Sequence, residues 1–200
     1  GAHGQFGRSV SKNGHLTLVG APLEKRTANG NALSGSVTLY NRDGRSVSSI
    51  RLLPGAQHDN TRFGLSTDIS GELFVIGAPF HGPVQNNTGL NGGAIYVGEY
   101  VDADTPPSLY LLESPNGETT QQFGYGVAID GTTIVATEYS GYSAWICEYN
   151  TTTHTCAWTE LEVLDDSRPL EVAIEDNYIA VGQRDMKVDN VAMVGQVKVF

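Results

Sequence analysis

Gln5-Phe6-Gly7, followed by Val19-Gly20-Ala21-Pro22, recurs 57 residues on as Arg62-Phe63-Gly64 followed by Ile76-Gly77-Ala78-Pro79, with fourteen residues from Phe to Gly in both copies. A third copy keeps Gln122-Phe123-Gly124 and the run Thr133-Ile134-Val135-Ala136, but carries Thr137-Glu138-Tyr139 in place of Gly-Ala-Pro. A fourth, Glu171 to Gly182, aligns with Ser9 to Gly20 without a gap. A unit that repeats at such intervals is one supersecondary structure stacked on copies of itself, because a single unit cannot bury its own apolar face.

Each unit resolves into short strands separated by turn residues. In the first, Phe6 to Ser11 and Leu16 to Ala21 flank Lys12-Asn13-Gly14, and Gly35 to Tyr40 and Ser48 to Leu53 flank Asn41-Arg42-Asp43-Gly44. Small polar residues at turns, with β-branched and aromatic residues between them, mark antiparallel hairpins. The second unit predicts strands at 63–69, 73–78, 93–97 and 108–112; the third at 123–129, 133–137, 144–149 and 157–163; the fourth at 170–174, 178–181 and 195–200. A repeated four-stranded antiparallel meander with no helical period predicts an all-β chain, a β-propeller with four blades at about 1–57, 58–117, 118–165 and 166–200, the last incomplete.

The Phe-Gly pairs, the Gly-Ala-Pro closing the next strand and third strands of the type Gly35-Ser36-Val37-Thr38-Leu39-Tyr40 resemble the FG-GAP repeats of integrin α-subunit propellers and related extracellular proteins. The motif residues are Phe6, Gly7, Gly20, Ala21, Pro22, Phe63, Gly64, Gly77, Ala78, Pro79, Phe123 and Gly124, and their expected role is structural. Glycines allow backbones to approach closely, and the proline stops a strand where the chain turns away. The resemblance implies a propeller of about seven blades, so the chain is expected to belong to a longer one or to be completed by a partner's strand. Several family members hold calcium in the first loop of a blade. Here the corresponding turns, such as Ser70-Gly71-Glu72 and Asp130-Gly131-Thr132, are too short and too poor in carboxylates to provide six or more oxygens, and Asp102 and Asp104 lack the rest of such a loop. No metal ligand and no cofactor is assigned.

Twelve Lys and Arg against 22 Asp and Glu give a net charge of −10, which argues against a nucleic-acid surface. No apolar run approaches the length of a membrane span. Cys147 and Cys156 fall at the two sides of a hairpin, which favours a disulfide and an oxidising compartment. A zinc site using His154 as well would need a fourth ligand. The sequons Asn86-Asn87-Thr88 and Asn150-Thr151-Thr152 lie in expected loops, so Asn86 and Asn150 are candidate N-glycosylation sites.

The histidines His3, His15, His58, His81 and His154 have no companions at catalytic spacing, and no catalytic residue is assigned. Long second-to-third-strand connections, 23–34, 80–92 and 183–194, would share one face, where recognition usually resides. Candidate contacts there are Lys25, Arg26, Asn29, Asn31, His81, Gln85, Arg184, Asp185 and Lys187. The sequence therefore predicts a non-enzymatic extracellular interaction module for protein–protein adhesion or ligand binding. The alternatives are a structural subunit of a filament, coat or appendage, and a carbohydrate-binding propeller, for which Tyr139, Tyr142 and Trp158 are scattered aromatics. Expected partners are other extracellular proteins, copies of itself, or glycans.

Overall fold

The stretch Leu73-Phe74-Val75-Ile76-Gly77-Ala78 is apolar at every position because a strand alternates its side chains between two faces and both faces here are covered. Phe74 and Ile76 point into one apolar cluster, whereas Val75 points into another on the opposite side. This arrangement recurs through the computed structural model, which describes residues 4–25, 34–41, 46–50, 60–82, 92–102, 104–117, 121–161, 168–176, 178–188 and 191–200.

The described residues form four antiparallel sheets and no helix. The first is the meander β1 (Ser9–Asn13), β2 (Leu16–Ala21), β3 (Ser36–Tyr40) and β4 (Ser46–Ile50). The second is β5 (Thr67–Ser70), β6 (Leu73–Ala78), β7 (Ala94–Glu99) and β8 (Ser108–Glu113). The third is β9 (Phe123–Asp130), β10 (Thr133–Glu138) and β11 (Ser143–Asn150), with β12 (Thr155–Cys156) and β13 (Thr159–Leu161) both paired to β11. The fourth is β14 (Arg168–Glu175), β15 (Tyr178–Val188) and β16 (Val191–Val199).

The core lies between successive sheets. Leu16, Leu18, Val37 and Leu39 of the first meet Phe63, Phe74 and Ile76 of the second. Val75, Ile95 and Val97 of the second meet Phe123, Val127 and Ile134 of the third, and Val135 and Ala144 of the third meet Ile179 and Val181 of the fourth. Each fully buried Leu, Val or Phe contributes about 1.5–3 kcal/mol relative to exposure. Gly98 is a consequence of this packing: a Cβ there would fall 2.2 Å from the Phe74 ring.

Three sequence expectations change. The first strands of the first two sheets begin at Ser9 and Thr67 rather than at Phe6 and Phe63, whereas that of the third begins at Phe123 as expected; Gly7, Gly64 and Gly124 all carry a positive φ, of 85°, 87° and 84°. The residue before each Phe is also left-handed, with φ of 55° at Gln5, 54° at Arg62 and 58° at Gln122, so the Phe-Gly pair is a repeated corner. Of the outer strand expected at 157–163, Thr159–Leu161 forms β13 among the described residues, and the separate short β12 precedes it at Thr155–Cys156.

The connection expected over 183–194 is largely strand, with Gln183 paired to Gln196, Met186 to Val194 and Val188 to Val191. Arg184, Asp185 and Lys187 therefore lie on β15 and not in a loop. The pairing continues as far as Val188 and Val191, with register shifts absorbing the irregular polar stretch.

Candidate interaction site

The seam between the first two sheets is built on glycine. Phe63 N–H donates to Ser34 O (3.0 Å), and Phe63 makes a parallel bridge with Gly35. A Cβ on Gly35 would lie 2.1 Å from Phe63 O, and one on Gly20 would lie 2.1 Å from Gly64 O. The next seam repeats this: Phe123 N–H donates to Gly92 O (3.0 Å), Phe123 bridges Gly93, and a Cβ on Gly77 would lie 2.1 Å from Gly124 O. The Phe-Gly corner of one sheet is thus the plug, and the glycines of the preceding sheet are the socket. Ser9 and Ser66 fasten the seams by donating to Gly64 O (3.0 Å) and Gly124 O (3.1 Å). Ala21, Pro22, Ala78 and Pro79 are buried where the second strands end.

The third sheet departs from the motif in a compensated way. Where the first two pair Ser9 with Gly20 and Ser66 with Gly77, this sheet has Gly126 and Thr137. The hydroxyl has crossed to the neighbouring strand, and Thr137 Oγ1 accepts the Gly126 N–H (2.8 Å). Gly126 lies against the fourth sheet, a Cβ there being 2.4 Å from Leu170 O. Arg168, which aligns with Phe6, lies over the Tyr139 ring at 5.0 Å and donates to its hydroxyl (3.0 Å). This last seam therefore substitutes a cation–π contact for the Phe-Gly plug. Glu138, fully buried, accepts from Ser114 Oγ (2.7 Å) and ties this corner to the second sheet.

The first strands of all four sheets line a single cavity of about 440 Å³. Its wall includes Arg8 and Lys12 of the first sheet, Asp68 of the second, Val127 of the third and Glu171 of the fourth. Asp68 bridges two sheets, accepting N–H from Ile69 (2.9 Å) and Ile129 (2.9 Å). Burial raises its pKa, with nearby Asp130 adding in the same direction and the two N–H bonds opposing.

Cys147 and Cys156 form a disulfide with Cα atoms 5.6 Å apart. The register places Cys156 opposite Tyr149, not opposite Cys147, so the bond is a diagonal across the hairpin rather than the directly opposed pair the sequence implied. His154 is occupied elsewhere: its ring stacks on Tyr110 at 3.4 Å, and its Nδ1 lies 3.0 Å from Tyr149 Oη. Burial lifts the Tyr149 hydroxyl to about 12, with Tyr110 and Glu99 reinforcing the shift. Asn150 is exposed at the hairpin end, and its Oδ1 accepts N–H from Thr152 (2.9 Å) and Thr153 (2.9 Å). Asp102 similarly closes a turn, accepting from Asp104 (2.9 Å) and Thr105 (2.7 Å), which accounts for the paired aspartates. Among the described residues no three His, Cys, Asp or Glu side chains gather as a metal-binding set, and no helix is long and apolar enough to cross a membrane.

Of the expected contact residues, Lys25 is partly exposed. His81 is buried, with Nδ1 3.3 Å from Tyr96 Oη, and its N–H and C=O hold Ala78 and Gly93, so it supports the second sheet instead of facing a ligand. Arg26, Asn29, Asn31, Gln85 and the sequon at Asn86 lie outside the described residues. Tyr139 and Tyr142 sit close to the Arg168 seam, whereas Trp158 packs edge-on against Phe123 in the core. The residues missed in the sequence were Arg168, Gly126 and Thr137. Extending the fourth-copy alignment three residues towards Arg168, and comparing Ser66 with Gly126 and Gly77 with Thr137, would have exposed them.

The sequence matches no protein-family model and no curated protein.

Proposed function

We propose that the chain is the repeat scaffold of a non-enzymatic extracellular interaction module, with its four sheets arranged as propeller blades. The observation that carries this reading is the shared cavity, since first strands gathered around one space are what a radial arrangement of blades requires. The motif residues at the seams, Phe63, Gly64, Phe123, Gly124, Gly20 and Gly77, are consumed in holding sheet to sheet, which leaves the segments between second and third strands to meet a partner. Lys25 lies on one such segment, and Arg184 lies on the hairpin that projects at the corresponding end of the fourth sheet. The disulfide and the exposed Asn150 support a secreted setting in which that asparagine carries a glycan.

The test is secretion from a eukaryotic host, followed by binding to immobilised extracellular ectodomains and glycans, with the Lys25→Glu and Arg184→Glu variants in parallel. Saturable binding to a protein, weakened by either charge reversal, and a glycosidase-sensitive mass removed by Asn150→Gln are the expected results. Absence of binding across the panel, or catalytic turnover of a panel member, would contradict the proposal.

A further inference from the structure

Two charges on the first strands have no part in the seams. The residue after the Phe-Gly corner is Leu65 in the second sheet and Tyr125 in the third, and Leu170 stands at the same position in the fourth, yet the first sheet has Arg8 there. One position further on, Ser9, Ser66 and Gly126 are small and uncharged, and the fourth sheet has Glu171. Ser9 and Glu171 are equivalent by register as well, since they pair with Gly20 and Gly182. Packing therefore accounts for neither charge, because three of the four copies do without one at each position.

Arg8 and Glu171 both line the cavity of about 440 Å³, one from the first sheet and one from the fourth. Both are exposed, and among the described residues neither side chain bonds to a protein group. The other charges on the wall are better engaged: Lys12 Nζ donates to Gly14 O (3.3 Å), and each Asp68 oxygen accepts a backbone N–H (2.9 Å). Backbone also faces the same space. Residues 8–12, 65–68 and 171–174 line the cavity consecutively, and since neighbouring residues of a strand point opposite ways, a consecutive run means that the strand presents its edge. β1, β5 and β14 are each terminal in their sheets, so that edge is a row of N–H and C=O groups to which no strand pairs among the described residues.

We propose that this cavity is a binding site for a short peptide with free ends, whose carboxylate pairs with Arg8, whose ammonium pairs with Glu171 and whose amides bond to the strand edges between them. The class follows from what the wall offers: a cation, an anion, and backbone donors and acceptors. A simple anion would leave Glu171 unmatched and a simple cation would leave Arg8 unmatched, whereas a peptide zwitterion answers both, its carboxylate fitting the guanidinium fork and its backbone adding to an edge as a strand does. Val127 and Val172 on the wall give its small side chains apolar contact. The volume lies within the range of small-ligand sites, about 300–1,000 Å³, which admits a few residues and excludes a folded partner. The site is separate from the loop face, since Lys25 and Arg184 do not line it.

The probes are trialanine, trialanine amide and N-acetyl-trialanine, titrated calorimetrically with thermal melts in parallel. Arg8→Gln and Glu171→Gln change exposed side chains, so without peptide both should melt as the native chain does. The native chain should bind trialanine saturably, melt at a higher temperature in its presence, and bind either blocked peptide about tenfold more weakly, as for the loss of one charged hydrogen bond. Arg8→Gln should no longer distinguish trialanine from its amide, and Glu171→Gln should no longer distinguish it from N-acetyl-trialanine. Lys25→Glu and Arg184→Glu should leave trialanine affinity unchanged, which separates failure of this site from failure of the loop face. No binding of trialanine up to about 10 mM would overturn the proposal. So would equal affinity of the native chain for free and blocked peptides, or variants that keep the native discrimination.

Discussion

Single residues carry the sheet-to-sheet fit. Gly77 has no room for a methyl group, since backbone oxygen of Gly124 and the Ser66 hydroxyl lie 2.1 and 2.2 Å from the Cβ position. Gly77→Ala is expected to cost about 1–3 kcal/mol by overpacking, measured by chemical denaturation, whereas Gly182→Ala, with open space around it, should be close to neutral in dilute protein. Equal costs at the two positions would contradict the seam. Thr137→Val is nearly isosteric but removes the acceptor of a buried Gly126 N–H, so a loss of about 1–3 kcal/mol is expected. Asp68 gives a pH signature. Its folded pKa is raised, so above the ordinary carboxylate range the unfolded chain releases a proton that the folded chain still holds. Stability attributable to this group is therefore full at lower pH and falls as pH rises through the folded pKa. Asp68→Asn should flatten that fall while lowering stability throughout, because the amide nitrogen cannot accept the second N–H. A denaturation midpoint whose pH dependence is unchanged in the variant would refute this assignment.

At the scale of elements, second strands were the most legible part of the sequence. Leu16 to Ala21 and Leu73 to Ala78 were expected at the boundaries they have, because each is a mostly apolar run that follows a turn signal and ends at a proline. First strands were less legible in the first two sheets, where Phe-Gly reads as strand by composition but forms a corner ahead of the strand, than in the third, which starts at Phe123 as expected. The outer part of the β15–β16 hairpin, over 183–194, reads as a loop in the sequence because its alternation is polar and interrupted by register shifts, whereas the strand segments at 178–181 and 195–199 were legible. The hairpin 147–156 was legible as a disulfide site but not in its register. Its separation of nine residues sets the expected effect: replacing both cysteines by alanine should lower stability by about 2–3 kcal/mol on the loop-entropy relation. Urea denaturation of oxidised protein and of the double variant measures it, and coincident curves would show that the bond constrains little.

The whole molecule is a sequence of sheets in which the same motif has two fates, docked or open, according to its place in the stack. This contrast was hidden from the sequence, where Phe6, Phe63 and Phe123 are indistinguishable, and it emerges only when exposure is compared position by position. Architecture and partners are separable at this scale, since the seams hold whether or not a ligand meets the loop face. The most direct measurement is therefore the unfolding free energy of Phe6→Ala, Phe63→Ala and Phe123→Ala in dilute protein. Phe63→Ala and Phe123→Ala should each cost about 3–5 kcal/mol, as expected for fully buried phenylalanines, and Phe6→Ala less than about 0.5 kcal/mol, as for a surface substitution. A Phe6→Ala loss as large as that of Phe63→Ala, or a Phe63→Ala loss as small as that of Phe6→Ala, would contradict the assignment of the Phe-Gly corner as the seam between sheets.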